Sequence, residues 1–250
     1  MKIAVFSKRN AREILRDPVN LFFGLGFPLV LLFLFSIINN AIPAEANSTM
    51  YAPQKVAPGV AMFGTVFLAL FSGMLIAKDR ATAFLMRLFA SPMRSVDFIA
   101  GYTLPMIVFA IVQSVITFLA AAFIGLPLSW NTLLAVAVLI PVSFLFVGIG
   151  LLCGSLMNDK AVGGFCGALL TNVAGWLSGV WIPLDLIGGA FKTVSEALPF
   201  YHAAQAACQA VNGHYEEILP HLLIVLAYAM VFYVLAVLVF RHKMRTGRFA

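Results

Sequence analysis

The sequence predicts an all-α integral membrane protein with six transmembrane helices. Of its 250 residues, 62% are hydrophobic and only 10% are charged, whereas soluble domains carry about 25% charged residues. Its long apolar stretches match the roughly 20 residues that a helix needs to cross a bilayer. None of them alternates between apolar and polar residues as barrel strands do, and a helix satisfies its own backbone hydrogen bonds in lipid. We therefore expect a helical bundle in the membrane.

The chain is predicted to form a single transmembrane domain over residues 1–250. Its spans are expected at residues 19–38, 59–77, 98–124, 132–152, 161–181 and 218–240. Pro28 lies inside the first span and predicts a kink there, because proline cannot donate a backbone hydrogen bond and its ring clashes with the preceding turn.

Residues 1–17 are basic and predict an amphipathic helix. On such a helix, Ile3, Phe6 and Ile14 lie on one side and the charged side chains on the other, with Asn10 as the exception. This pattern is typical of a helix that lies on a membrane surface, and a solvated basic tail is the alternative. An Asp-Pro pair ends the helix before the first span.

Residues 182–217 do not follow the pattern of the spans. They are moderately apolar, but Pro183, Gly188, Gly189 and Pro199 interrupt them too often for a helix that crosses the membrane. We expect short, half-inserted helices on the outer side, between the fifth and sixth spans, where other parts of the protein would cover any non-helical backbone.

The distribution of Lys and Arg predicts the orientation of the chain. Fourteen of the 16 basic residues fall on the termini and on the loops that six spans would place on the same side. Only Lys55 and Lys192 fall on the other side. Because cytoplasmic loops carry an excess of Lys and Arg, we expect both termini to be cytoplasmic, in the plasma (inner) membrane. Topology thus accounts for the net charge of +6, and no nucleic-acid partner is needed.

Several classes of protein are disfavoured by residues that the sequence lacks. No Asp, Glu, Lys or Arg lies within the predicted spans, which argues against an ion-driven carrier. An HExxH zinc pair and a Ser-His or Cys-His arrangement at membrane depth are also missing, so neither an enzyme nor a metal site is predicted. The chain contains no GxxxxGK(S/T) phosphate loop. If it uses ATP, another polypeptide must bind the nucleotide.

Small residues recur at every fourth position of the fifth span. They are Gly163, Gly167, Thr171, Gly175 and Gly179. Small residues at this spacing let helices approach closely in lipid, so we expect this stripe to pack within the subunit or across a dimer. Two polar residues of the same span, Asn172 and Ser178, are candidates for a substrate path.

The most informative stretch is residues 77–101, where four basic and two acidic residues interrupt the hydrophobic sequence. Its centre is too apolar for a solvated loop, and residues 82–90 are strong helix formers with apolar pairs three and four positions apart. Ser91 and Pro92 stop this helix. We expect a short cytoplasmic coupling helix that is offered to a partner protein. An interfacial helix with its apolar face in the lipid headgroups is the alternative.

This stretch resembles the permease subunits of ABC-2 type transporters. Thr82, Arg87, Leu88, Ala90, Ser91 and Pro92 match the Thr, Arg, Leu, Ala, Ser/Thr and Pro positions of that family's element, with Met86 at the usual Leu position. The later runs GVWIPLDLI and LPFYHAAQA are similar to the fifth-span exit and outer helices of that family. One departure precedes the element, because residues 78–82 read Lys-Asp-Arg-Ala-Thr where the family often shows Glu-(Arg/Lys)-Glu-x-Gly-Thr.

The resemblance implies an ATP-driven exporter with two permease chains, as a homodimer or heterodimer, and two cytoplasmic ABC ATPase subunits. The partner ATPase would bind ATP and Mg, and this chain would bind no cofactor. The ATPase-coupling residues would be Thr82, Phe84, Leu85, Met86, Arg87, Leu88, Phe89, Ser91 and Pro92. An apolar cavity with few polar groups favours an amphipathic or lipidic substrate of the drug or antimicrobial class. A lipid-linked glycan flippase, a cofactor exporter, and an ATPase-independent scaffold or channel are the alternatives.

Overall fold

The computed structural model describes residues 2–42, 51–82, 84 and 94–246, and every regular element in these ranges is helical. In chain order the helices are α1 (Lys2–Leu15), α2 (Pro18–Ala41), α3 (Pro53–Ala81), α4 (Ser95–Phe123), α5 (Trp130–Leu156), α6 (159–177), α7 (Leu184–Ile187), α8 (Gly189–Ala197), α9 (Pro199–Asn212) and α10 (Tyr215–Thr246). The predicted all-helical fold is confirmed for this part of the chain.

Five of these helices are long and apolar enough to cross a membrane: α2, α3, α4, α5 and residues Tyr215–Lys243 of α10. The predicted fifth span corresponds to α6 and is not among them. Helix α6 contains the charged pair Asp159 and Lys160 in its first turn, so only 17 uncharged residues remain before it ends at Leu177, whereas a span needs about 20. Six spans therefore stay a prediction.

Helix α3 is at the centre of the fold. In its most apolar stretch, 89% of the residues are buried, against 22% for α2 and 17% for the last span. Helices α4, α5 and α9 pack around α3, and α10 packs on the outside of α5 and α9. Because α3 is surrounded in this way, its end lies among other helices. The segment that connects α3 to α4 begins there.

Helices α3 and α5 cross at glycines. A Cβ atom built on Gly154 would overlap the backbone oxygen of Gly73, and one built on Gly150 would overlap the backbone oxygen of Ala69. The backbones of the two helices are therefore in direct contact, which is the arrangement that small residues permit between helices in lipid.

Helix α2 contains a π-helical turn at Phe22–Gly26, directly before Pro28. Proline removes a hydrogen-bond donor and its ring clashes with the carbonyl four residues earlier, so a widened turn at this place is the physical result of the predicted interruption. Gly24, in the same turn, is buried, and a Cβ there would lie 2.6 Å from the ring of Phe109 and 2.8 Å from that of Phe71. The turn brings α2 against both α3 and α4.

Residues 182–217 form three short helices, as the prolines and glycines predicted. Helix α7 ends at Gly188, which has a φ of +65°, and α9 ends at Gly213, which has a φ of +79°. Both values lie in the region that favours glycine. Helix α9 contributes several buried alanines to the core against α3, α5 and α10. Half-insertion of these helices in the membrane stays a prediction.

Candidate functional site

A buried ion pair joins α1 to the end of α3 and the beginning of α4. Asp79 lies in the last turn of α3 with 3% of its surface exposed. The guanidinium of Arg9 donates two hydrogen bonds to its carboxylate, at 2.6 Å and 2.8 Å. The hydroxyl of Tyr102 donates a third, at 2.8 Å. We call Arg9, Asp79 and Tyr102 the junction triad.

The charge of Arg9 is maintained by its neighbours. Burial opposes this charge, but the hydrogen bond to Asp79 and the negative charge of that carboxylate outweigh burial, so the pKa of Arg9 is raised. Arg9 also forms an ion pair with Glu13 at 3.1 Å, one helical turn further along α1. The guanidinium is therefore shared between a buried and a half-exposed carboxylate.

Asn10, the exception on the apolar side of α1, has a specific partner. It is fully buried, and its side-chain amide donates a hydrogen bond of 3.1 Å to the backbone oxygen of Gly101. In a regular helix that oxygen would accept from the residue four positions later, which here is Pro105 and has no N–H group. Asn10 thus satisfies a carbonyl that proline leaves free.

Helix α1 rests on α4 rather than exposing its whole apolar side to lipid. Phe6 is buried, and a Cβ on Gly101 would overlap its ring. Phe6 also makes edge-to-face contacts with Phe98 and Tyr102, at centroid distances of 5.9 Å and 4.9 Å. The prediction of a helix in this region is confirmed, and much of its apolar side is used for packing within the chain.

Phe84 is the one residue between 83 and 93 that the structure describes. Its ring stacks on Phe6 at 6.5 Å, and the guanidinium carbon of Arg9 lies 4.4 Å from the ring centroid, a cation–π geometry. Thr82 donates a hydrogen bond to the backbone oxygen of Asp79 at the end of α3. The other predicted coupling residues, Leu85, Met86, Arg87, Leu88, Phe89, Ser91 and Pro92, lie outside the described residues.

The residues on either side of Asp79 also make contacts within the chain. Lys78 lies 3.7 Å from the carboxylate of Asp17. Arg80 donates to the backbone oxygens of Gly154 and Met157, at 2.7 Å and 3.1 Å, at the end of α5. The three charged residues that depart from the family pattern therefore link the end of α3 to neighbouring elements.

The small residues of α6 mostly face α3. A Cβ on Gly167 would lie 3.4 Å from Leu70, and one on Gly175 would lie 3.0 Å from Trp181 and 3.3 Å from Phe63. Thr171 is buried between them and donates to the backbone oxygen of Gly167. Gly163 has open space around its α-carbon, and Gly179 has a φ of +74° just after the helix ends.

Asn172 and Ser178 have different surroundings. Asn172 is exposed, on the same side of α6 as Phe165, Leu169 and Trp176, and its amide donates to the backbone oxygen of Ala168. Ser178 is buried and borders a cavity of about 420 Å³ next to α7, α8 and α9, which Asn172 does not line. The structure does not bring these two predicted path residues together.

The cavity beside Ser178 is polar and of mixed charge. Its lining includes Lys55, Lys192, Glu196 and Glu217. The ammonium group of Lys192 donates a hydrogen bond of 2.7 Å to Asp185, and this bond lowers the pKa of Asp185 and raises that of Lys192. Both side chains therefore stay charged, at a place where water can reach them.

These features define a multi-span helical membrane protein in which a terminal helix is tied to the ends of two internal spans. The family model for the ABC-2 type transporter matches residues 1–211. The chain therefore belongs to the ABC-2 type transporter family, and the resemblance noted from the sequence is confirmed. A search of curated proteins finds no match to the chain.

Membership of the family identifies the chain as a transmembrane permease component of an ABC transporter. In such a transporter the ATPase activity lies in a separate subunit, with which the permease associates at the membrane. The junction triad lies directly beside the segment that the sequence predicts to contact that subunit.

Proposed function

We propose that this chain is the permease subunit of an ATP-driven exporter for an amphipathic or lipidic compound of the drug or antimicrobial class. The observation that carries this proposal is the exposed side of α6. Phe165, Leu169 and Trp176 expose between 37% and 53% of their surfaces there, and Asn172 lies among them. An apolar surface with one amide suits a compound that has a large apolar body and few polar groups.

The permease works as a dimer in this proposal, with both termini in the cytoplasm. The exposed sides of α6 from two chains face each other across a central cavity, and the partner is either a second copy or a related chain. Residues 82–90 contact the ATPase in the cytoplasm. ATP binding moves this segment, and the spans connected to it open the cavity alternately to each side of the membrane.

Transport by the purified permease–ATPase complex in lipid vesicles tests this function. We expect an amphipathic fluorescent dye to be moved across the vesicle membrane with ATP and Mg, but not with ATP alone or with a non-hydrolysable analogue. Dye movement that is independent of ATP would favour a channel instead. If the complex moves a lipid-linked glycan or a free cofactor and ignores the dye, one of the other transport functions replaces the one proposed.

Asn172→Leu should change the transport of polar or charged dyes more than that of neutral ones. Removing the amide leaves an apolar surface. We expect the transport rate of the polar or charged dye to fall roughly three- to tenfold, the effect of losing one hydrogen bond to the substrate. Vesicle transport assays with a pair of dyes that differ in one polar group measure the effect.

Asn212→Leu is the matched control for this variant. Asn212 is also exposed and also donates to the backbone oxygen four residues earlier, at the same distance of 2.8 Å. It lies on α9, where it lines the cavity beside Ser178 and is not part of the exposed side of α6. Equal effects of the two substitutions on both dyes would show that Asn172 does not face the substrate.

A further inference from the structure

We infer that the junction triad is a positioning device that makes α1 and the ends of α3 and α4 move together with the coupling segment. The inference rests on the proposed function, since it assigns a role in the same transport cycle. It concerns Arg9, Asp79 and Tyr102, which are not part of the predicted coupling helix.

In the sequence, two members of the triad lie on either side of the coupling segment. Asp79 lies three residues before Thr82, and Tyr102 lies in the third turn of α4, which begins at Ser95. Arg9, on α1, bonds Asp79 directly, and it is linked to Tyr102 through the carboxylate of Asp79, which accepts from both. A single guanidinium thus connects the helix that enters the segment with the helix that leaves it.

Arg9 also contacts the segment itself, through the ring of Phe84 at 4.4 Å. A displacement of Phe84 must therefore either carry Arg9 with it or break the cation–π contact. Because the two guanidinium nitrogens each bond one oxygen of Asp79, Arg9 cannot rotate without losing a hydrogen bond. The geometry converts movement of the segment into movement of α1 and of the two span ends.

Stability alone does not account for this ion pair. The cost of removing two charges from water offsets much of their attraction, and apolar residues of similar volume often replace a buried pair without loss of stability. What apolar residues cannot reproduce is the fixed orientation of a guanidinium bonded at two points to a carboxylate. We therefore expect the triad to fix the relative orientation of the helices. Replacing it with apolar residues should keep the packing and remove this fixed orientation.

The test uses the complex of permease and ATPase in vesicles and the triple variant Arg9→Met, Asp79→Leu and Tyr102→Phe. This variant removes both charges and leaves no buried hydroxyl without a partner. We expect it to assemble with the ATPase and to hydrolyse ATP, while the amount of dye transported per ATP hydrolysed falls roughly tenfold. A purely structural role would lower assembly and hydrolysis together and leave this ratio unchanged.

The double variant Lys192→Met and Asp185→Leu is the matched control. It removes an ion pair of similar length, 2.7 Å, that is exposed beside α7 and α8, far along the chain from the coupling segment. The ratio of transport to hydrolysis should stay at the wild-type value in this control. A fall equal to that of the triple variant would overturn the inference.

If the triple variant does not assemble with the ATPase, the variant Arg9→Lys tests the inference instead. Lysine keeps the charge but cannot bond both carboxylate oxygens in the same fixed geometry. We expect normal assembly and a ratio of transport to hydrolysis that is roughly threefold lower. An unchanged ratio in Arg9→Lys, or in an assembled triple variant, would contradict the inference while wild-type transport still supports the exporter. If the wild-type complex shows no ATP-driven transport, the proposed function fails instead.

Discussion

Replacing Gly154 with Val should prevent the chain from reaching its native fold. Any Cβ at this position overlaps the backbone oxygen of Gly73 and approaches its α-carbon to 2.9 Å, so α3 and α5 must separate. Overpacking a well-packed core typically costs about 1 to 3 kcal/mol, and here the obstacle is backbone rather than a flexible side chain. The central position of α3 spreads the displacement to α4 and α9.

The yield of monodisperse protein in detergent and the midpoint of thermal unfolding measure this effect. Gly164→Val is the matched control, because a Cβ at Gly164 meets no atom within 4 Å. We expect a large loss of folded protein for Gly154→Val and a near-normal yield for Gly164→Val. Normal folding of Gly154→Val would contradict the direct backbone contact between α3 and α5.

Replacing Leu85 with Glu should abolish ATP-driven transport while the chain still folds. Leu85 lies in the apolar face predicted for the coupling helix. A carboxylate buried against an apolar cleft of the ATPase must lose its hydration without gaining a partner, which costs several kcal/mol. A loss of about 3 kcal/mol corresponds to more than a hundredfold weaker association.

Binding of the purified ATPase to immobilised permease, together with dye transport, measures this loss. Leu128→Glu is the control, since Leu128 lies in the turn between α4 and α5 with 56% of its surface exposed. It should bind the ATPase normally. Wild-type binding and transport by Leu85→Glu would remove residues 82–90 from the interface and would favour the alternative of a helix lying in the lipid headgroups.

The helices of the fold were predictable because each depends on local pattern. Long apolar runs, and the prolines and glycines that interrupt them, indicate where helices begin, bend and end. The same local signals predicted a kink at Pro28, where the helix has a π-helical turn, and the interruptions that give the three short helices after α6. The same signals do not fix the number of spans, because α6 begins with the charged pair Asp159 and Lys160.

The hydrogen bond of Asn10 could be predicted only in part from the sequence. Pro105 leaves the carbonyl of Gly101 free, and this signal is local and readable. That a side chain 91 residues away supplies the donor depends on how α1 rests on α4. In the sequence, Asn10 is only an exception to the amphipathic pattern, and the structure supplies its partner.

The glycines that matter most for packing were present in the sequence as a G-x-x-x-G pattern. Gly150 and Gly154 have this spacing, which is typical of close helix contacts in lipid. The longer stripe of α6 has the same spacing, but Gly167 makes only ordinary van der Waals contact with Leu70. A repeated pattern shows that helices can approach closely, and the neighbouring helix decides where they do.

Pairs of residues that are distant in the chain could not be predicted. In the sequence, Asp79 is part of the departure from the family pattern, and its partner Arg9 is 70 residues away. His202 and His221 are 19 residues apart in the sequence, yet their Nδ1 atoms lie 2.7 Å apart between α9 and α10. Such contacts follow from the arrangement of helices, and no periodicity encodes them.

The central claim is that a separate ATPase drives this permease, and purification of the chain from its own cells tests it most directly. The membrane fraction would be extracted in mild detergent, the chain purified, and the product examined by mass spectrometry and for ATP hydrolysis. We predict an ABC ATPase in amounts comparable to the permease, with Mg-dependent hydrolysis in the same fractions. A chain that purifies without an ATPase and still transports in vesicles without ATP would contradict the account.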